Sequence, residues 1–81
     1  MNMEKLVKSD IVVDVIGETC PIPLVEMRKA VMKAKKGEVI EVRGTHDASQ
    51  MEIPMAVESM HLDLLSSEKD GEGVWHIFIR K

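Results

Sequence analysis

The chain has 81 residues, of which 44% are hydrophobic and 31% are charged, and its formal net charge is −3 at pH 7. This length predicts one domain over 1–81, with 1–10 as a short N-terminal extension, and the acidic balance argues against direct nucleic-acid binding. The single cysteine excludes a secreted disulfide scaffold, so we expect a cytoplasmic protein. No apolar run has the length of a signal peptide or a membrane span.

The first half of the chain predicts a strand, a helix and a second strand. The β-branched run Ile11–Ile16 is typical of a strand, and a glycine-led turn follows it. The next segment predicts a helix, because its apolar residues recur at helical spacing, lysines crowd its last turn and Gly37 can end it. That apolar stripe consists of Leu24, Met27, Val31 and Ala34. The alternating segment Glu38–Arg43 predicts the second strand, and this order favours a right-handed parallel crossover.

A second helix is predicted after the polar connection 44–49. Its apolar stripe consists of Ile53, Val57 and Met60. Asp47 or Ser49 is a candidate cap, and Asp47 with Gln50 has the spacing of a capping box. Because proline disrupts a helix interior, we expect the regular helix to begin close to Pro54, after a looser first turn.

Two further strands are predicted at 61–68 and 74–80, joined by the hairpin turn Asp70-Gly71-Glu72-Gly73. In the last strand, Trp75, Ile77 and Ile79 share one face. The order β-α-β-α-β-β therefore predicts an α+β two-layer sandwich, in which two helices pack on one face of a four-stranded mixed sheet.

The only cysteine, Cys20, lies between the first strand and the first helix, in the run Gly17-Glu18-Thr19-Cys20-Pro21-Ile22-Pro23. Backbone N–H groups and the dipole at a helix N-terminus favour an anion, and the thiolate is the reactive form of cysteine. We therefore expect a reactive Cys20 with a lowered thiol pKa, presented by a backbone that Gly17, Pro21 and Pro23 shape. The alternative of a small, inert buried residue stays open at this point.

The remaining polar residues add little chemistry of their own. A dithiol redox cycle within the chain is excluded because no second cysteine is present, and a nearby Glu18 would raise the thiol pKa. Arg28 and Lys29 lie off the apolar stripe, so we expect a solvated basic face that attracts an acidic partner. The histidine spacings match no metal motif, and no metal site is predicted. These histidines are His46, His61 and His76.

Several short motifs occur together along the chain. They are Asp14-x-x-Gly17-x-x-Cys20-Pro21-x-Pro23, Arg28-Lys29, Gly37-Glu38, Ile53-Pro54, Asp70-Gly71 and Ile79-Arg80-Lys81. With these offsets, the chain from about Ile11 to Lys81 resembles the TusA/SirA-like sulfur carrier family. The resemblance implies the same two-layer fold and a persulfide carried on Cys20 without metal or organic cofactor. It also implies a cysteine desulfurase or rhodanese-like sulfur donor and a sulfur-acceptor protein, in a pathway such as tRNA thiolation.

Three positions depart from the pattern of that family. An aspartate-rich stretch usual after the second strand is Gly44-Thr45-His46-Asp47 here, the usual Asp-Ile-Pro is Glu52-Ile53-Pro54, and a glycine common before the third strand is Met60. These positions lie in a loop and a helix that can contribute to a partner surface. They therefore leave the identity of the donor and the acceptor open.

The main hypothesis from the sequence is a monomeric cytoplasmic sulfur carrier that performs a half-reaction with partner enzymes. Two alternatives remain. One is a regulatory or protein-interaction module of the same fold that transfers no sulfur, and the other is a thiol that senses oxidation through a mixed disulfide.

Overall fold

The computed structural model describes residues 9–81, so most of the predicted N-terminal extension lies outside the described residues. The elements are β1 (Ile11–Val15), α1 (Ile22–Lys33), β2 (Val39–Gly44), α2 (Asp47–Ser59), β3 (Asp63–Lys69) and β4 (Trp75–Arg80). The four strands form one sheet in the order β1-β2-β4-β3. β1 and β2 are parallel, and β4 is antiparallel to both of its neighbours. The predicted order, and two helices packed on a four-stranded mixed sheet, are confirmed.

The core lies between the sheet and the two helices, and Trp75 is its largest fully buried side chain. As the alternation predicted, Trp75, Ile77 and Ile79 all point into this core. The indole ring lies over Gly44, where an added Cβ would come within 3.0 Å of three ring atoms. The indole N–H donates to the carbonyl of His46 at 3.0 Å. Gly44 is therefore required by the close approach of an aromatic ring.

The C-terminal end of α1 is held by a side chain from the end of the sheet. This side chain is that of Lys81, whose ammonium donates to the carbonyls of Val31 at 2.8 Å and Ala34 at 3.0 Å. This contact supplies a donor to carbonyls at the helix end, of which that of Val31 also accepts from Ala34 N–H at 3.3 Å, and places a cation at the negative end of the helix dipole. The closing lysine of the chain thus stabilises the helix that begins next to Cys20.

The predicted beginning of α2 is wrong, because the helix starts at Asp47 and contains Pro54 in its interior. Proline removes one backbone hydrogen bond there, at a cost of about 3 kcal/mol in an ordinary helix. Burial of the apolar face around Ile53 and Val57 against the sheet offsets that cost.

The predicted caps of α2 are also wrong. The N-cap residue is His46, and no side-chain hydrogen bond caps the helix. The Asp47 carboxylate accepts from Lys69 Nζ at 2.7 Å, and the buried Ser49 hydroxyl pairs with His46 Nδ1 at 2.9 Å. Asp47 is therefore used for a contact with β3, and Ser49 bonds the side chain of the N-cap residue instead of acting as the cap itself.

The C-terminal end of α2 forms a Schellman motif around His61. The N–H groups of His61 and Leu62 donate to the carbonyls of Glu58 and Val57, each at 3.0 Å. This motif needs a left-handed residue, and His61 has φ +61°. The resemblance led to the expectation of a glycine at Met60, but the residue with the left-handed conformation is His61, one position later.

We predict that His61→Gly stabilises the protein, because glycine adopts positive φ without a steric penalty. The expected gain in the free energy of unfolding is about 0.5–1 kcal/mol after allowance for the greater flexibility of glycine when unfolded. Urea denaturation measures it. His61→Ala, which keeps the penalty, is the control and should bring no gain. A His61→Gly variant no more stable than His61→Ala would contradict this interpretation.

On the sheet face opposite the helices, His76 joins two carboxylates. Its Nδ1 lies 3.1 Å from Glu41 Oε2 and its Nε2 lies 3.0 Å from Asp70 Oδ2. The hydrogen bond to Asp70 is the main cause that raises the His76 pKa above its ordinary value. Burial alone would raise the Glu41 pKa, but hydrogen bonds from His76 and Arg43 lower it. The Asp70 pKa is lowered mainly by its hydrogen bond with His76. The charged imidazole can donate to both carboxylates at once.

We predict that this cluster makes stability depend on pH in two directions. Because the folded-state pKa of His76 is raised, its contribution is complete below its ordinary pKa of 6.5 and is lost as the pH rises through the higher folded value. The carboxylate contributions are present above the ordinary values of 4.5 for Glu41 and 3.8 for Asp70, and are lost in more acidic solution. Stability should therefore be greatest between about pH 4.5 and 6.5.

Urea denaturation from about pH 3 to 9 tests this expectation. His76→Gln should remove most of the alkaline decline, whereas His61→Gln, at an exposed histidine elsewhere, should preserve it. Identical pH profiles for the His76→Gln variant and the parent protein would show that the cluster does not control stability.

Candidate functional site

The loop that carries Cys20 is fixed at its first residue. Gly17 has φ +85°, a conformation that favours glycine, and its N–H donates to Thr45 Oγ1 at 3.0 Å. The Glu18 N–H donates to the Val15 carbonyl at 3.0 Å, which closes the turn after β1. The loop is therefore tied both to the end of its own strand and to the connection between β2 and α2.

The two prolines frame the start of α1. Pro21 is the N-cap residue, its carbonyl accepts from Val25 N–H at 3.0 Å, and the peptide bond between Cys20 and Pro21 is cis. Pro23 is buried in the first turn, where a missing N–H leaves no donor unsatisfied. Cys20 thus lies one residue before the N-cap, and its sulfur does not cap the helix.

The side chain of Cys20 is exposed and touches a carboxylate of the second helix. Its thiol donates to Glu52 Oε1, with a sulfur–oxygen distance of 3.6 Å. No sequence signal pointed to Glu52 as a neighbour of the thiol, because the two residues are 32 positions apart in the chain. Only the packing of α2 beside α1 brings them together.

The expected lowering of the Cys20 pKa is wrong, because the thiol pKa is raised. The causes are desolvation of the sulfur, followed by the negative charge of Glu52 and the hydrogen bond to its carboxylate. The helix start offers little to oppose them. The Ile22 N–H donates to the Thr19 carbonyl at 2.9 Å, and Pro23 has no N–H. The carboxylate that acts on the thiol is Glu52 rather than the predicted Glu18.

Exposed apolar side chains lie close in sequence to Cys20 and Glu52. Ile22 follows Cys20 by two residues, and Met51 and Met55 lie beside Glu52 on α2. Met51 is 73% exposed and Met55 is 65% exposed, so both thioethers face solvent. We call Cys20, Ile22, Met51, Glu52 and Met55 the thiol surface. It combines one thiol and one carboxylate with flexible apolar side chains that can adapt to a protein surface.

The two predicted basic residues are exposed on α1. Lys29 Nζ lies 3.4 Å from Glu26 Oε2, and Arg28 precedes it on the same helix. Within residues 9–81, no hydrogen bond or ion pair joins Arg28 or Lys29 to Cys20. Any role of this basic face therefore concerns a partner molecule and not direct contact with the thiol.

The described residues offer no metal centre and no membrane span. Over 9–81, no three His, Cys, Asp or Glu side chains lie close enough together to hold a metal ion. In the same part of the chain, no helix is long and apolar enough to cross a membrane. His46 bonds to Ser49 and His76 to Glu41, so the two histidines do not share a partner.

Residues 11–81 match the sequence profile of the family described as Sulfurtransferase TusA. The chain belongs to the TusA family. This match covers every element of the sheet and both helices, and it confirms the resemblance that the short motifs indicated.

Relatives of this TusA-family chain cover most of its length. An Archaeoglobus fulgidus protein is 33% identical over 75 residues, which span 93% of this chain and 85% of the relative. A Thermotoga maritima protein is 37% identical over 67 residues, which span 83% of this chain and 85% of the relative. Both carry the provisional name of sulfur carrier protein.

A solved structure shares the architecture. The crystal structure of a SirA-like protein from Desulfitobacterium hafniense superimposes with a TM-score of 0.77 at 27% sequence identity. The alignment covers 86% of this chain and 95% of that protein. The two-layer fold is therefore shared over nearly the whole of both molecules.

Proposed function

We propose that this protein carries sulfane sulfur as a persulfide on Cys20 and relays it from a donor enzyme to an acceptor enzyme. The observation that carries the proposal is the exposed position of the only cysteine at the start of α1, in a chain of the TusA family. The provisional names of its relatives support the same role. The sulfur is accessible to a large partner because it lies on the surface and not in a closed cavity.

The chemistry needs two exchanges at sulfur. In the first, the Cys20 thiolate attacks the outer sulfur of a donor persulfide, a new Sγ–S bond forms, and the donor sulfur leaves as a thiolate that takes up a proton. In the second, a nucleophile of the acceptor attacks the outer sulfur, and Cys20 leaves as a thiolate. Electrons balance in both steps without an outside oxidant or reductant, so the carrier requires no cofactor.

The partners follow from this chemistry. The donor is a cysteine desulfurase or a rhodanese-like enzyme that holds a persulfide, and the acceptor is an enzyme of a sulfur-trafficking pathway such as tRNA thiolation. The carrier acts in the cytoplasm and performs half of each exchange, so it completes no catalytic cycle without a donor and an acceptor enzyme. Gly17, Pro21 and Pro23 serve this role by holding Cys20 at a fixed place between β1 and α1.

We predict that Cys20 gains one sulfur atom when the protein is incubated with a cysteine desulfurase and cysteine. Intact-mass spectrometry should show the gain, and added reductant should remove it. Cys20→Ser, the matched control, should gain nothing. No gain from any desulfurase or rhodanese donor would overturn the proposal in favour of an interaction module. Disulfide-linked dimers without added sulfur would instead identify an oxidation-sensing thiol.

We predict that Arg28 and Lys29 guide the encounter with an acidic surface of a protein donor. Reversal of both charges, Arg28→Glu with Lys29→Glu, should slow loading from the desulfurase, most strongly at low salt. Loading from glutathione persulfide, which needs no docking, should change little. The control is Lys33→Glu with Lys36→Glu, at the last residue of α1 and in the turn that follows it. An equal loss in the control would show a general effect of net charge and would overturn this role.

A further inference from the structure

Glu52 is the protein group that touches the sulfur of Cys20. The 3.6 Å contact joins the thiol to a carboxylate that approaches from a different helix. An acidic neighbour is unexpected for a nucleophilic cysteine, since a carboxylate opposes formation of the thiolate beside it. In the free protein, the contact therefore keeps the sulfur in its less reactive form.

Glu52 is one of several acidic residues of the described chain that form no ion pair of their own. Five acidic side chains form ion pairs with a cationic residue or a histidine. They are Glu26, Glu41, Asp47, Asp63 and Asp70. Within residues 9–81, no ion pair involves Glu52. Its half-exposed carboxylate can therefore accept a cation from outside the molecule.

The surroundings of Glu52 suit contact with a protein. Met55 lies three residues later on α2, on the same side of the helix, and Met51 is its neighbour in sequence. Both are largely exposed, and Ile22 adds apolar area from α1. A complementary partner surface therefore combines apolar side chains with one cationic group, since an anion on a helix that also exposes apolar side chains favours an opposite charge.

We propose that Glu52 guards the Cys20 sulfur in the free carrier, and that a partner protein removes the guard by placing a lysine or arginine against the Glu52 carboxylate. This inference rests on the proposed function, because it concerns the control of sulfur transfer at the same thiol. Once Glu52 is paired with that cation, its charge no longer opposes ionisation of Cys20. The thiol then gives its proton to water, and the thiolate attacks the donor persulfide as described above.

Other charged groups near the thiol do not take this role. Glu18 lies two residues before Cys20 in the same loop, and the thiol hydrogen bond goes to Glu52 instead. On α1, Glu26 is engaged with Lys29, and on α2, Asp47 is engaged with Lys69. Glu18 therefore provides a matched control, since its replacement removes the same charge close to Cys20 without removing the contact.

The first test measures the thiol in the absence of any sulfur donor. Alkylation of Cys20 by iodoacetamide is followed across pH for the parent protein and for Glu52→Gln, Glu52→Asp and Glu18→Gln. Each unit by which the thiol pKa falls raises the thiolate fraction about tenfold at lower pH, and the alkylation rate about threefold after allowance for weaker nucleophilicity. Glu52→Gln should shift the profile to lower pH and react faster at neutral pH. Glu52→Asp should retain much of the parent behaviour, and Glu18→Gln should shift the profile less than Glu52→Gln.

The second test compares loading from two donors. With glutathione persulfide, Glu52→Gln should load faster than the parent protein, because its thiol is no longer guarded. With a cysteine desulfurase, Glu52→Gln should lose that advantage, because the partner can no longer pair with a carboxylate at this position. An equal acceleration with both donors would overturn the role of the partner cation.

These measurements separate the inference from the proposed function. An unchanged alkylation profile in Glu52→Gln, or an equal shift in Glu18→Gln, would overturn the guard even if Cys20 accepts sulfur normally. The expected alkylation shift without persulfide formation from either donor would overturn the carrier function while supporting the contact between Glu52 and the thiol.

Discussion

The packing of Trp75 against the junction between β2 and α2 is the contact on which the site depends. The indole lies over Gly44 and donates to the His46 carbonyl, which fixes the end of the strand and the start of the helix. Between these two residues, Thr45 accepts the Gly17 N–H and ties down the loop that carries Cys20. One short segment thus places both the thiol loop and the helix that brings Glu52. The place of the thiol therefore depends on contacts outside the cysteine motif.

At the thiol, two electrostatic effects compete, and the nearer one dominates. The positive end of a helix dipole favours an anion only where free N–H groups face it, and at the start of α1 one N–H is already bonded and a proline lacks another. Desolvation of the sulfur, together with the charge and the hydrogen bond of Glu52 in direct contact with it, raises the thiol pKa in spite of this weak field. The electrostatic environment of the thiol therefore depends on a loop residue and a residue of α2 rather than on the cysteine motif alone.

Much of the fold could be predicted from the sequence, because alternation and the spacing of apolar residues determine most of its strands and helices. Alternation in 75–79 assigned the buried face of β4, and the apolar spacing after Cys20 assigned α1. Prediction failed where tertiary contacts override local preference. Pro54 lies inside a helix because the surrounding apolar face is buried, and His61 takes a left-handed conformation because the Schellman motif requires one. The contact of Cys20 with Glu52 has no local signal at all, since only the packing of two helices creates it.

The contacts of His76 with Glu41 and Asp70, on the sheet face away from the helices, limit how a change in pH could promote the proposed sulfur transfer. His76 holds its two carboxylates best when it carries a proton, whereas the proposed attack by Cys20 requires the loss of one. Alkaline conditions that expose the nucleophile therefore also loosen the opposite side of the sheet. A rise in pH would be a poor trigger for sulfur transfer, because the same rise that deprotonates Cys20 also removes the proton with which His76 stabilises the sheet. In the proposed mechanism, a cation that a partner places beside Glu52 promotes loss of the Cys20 proton and leaves the His76 proton in place.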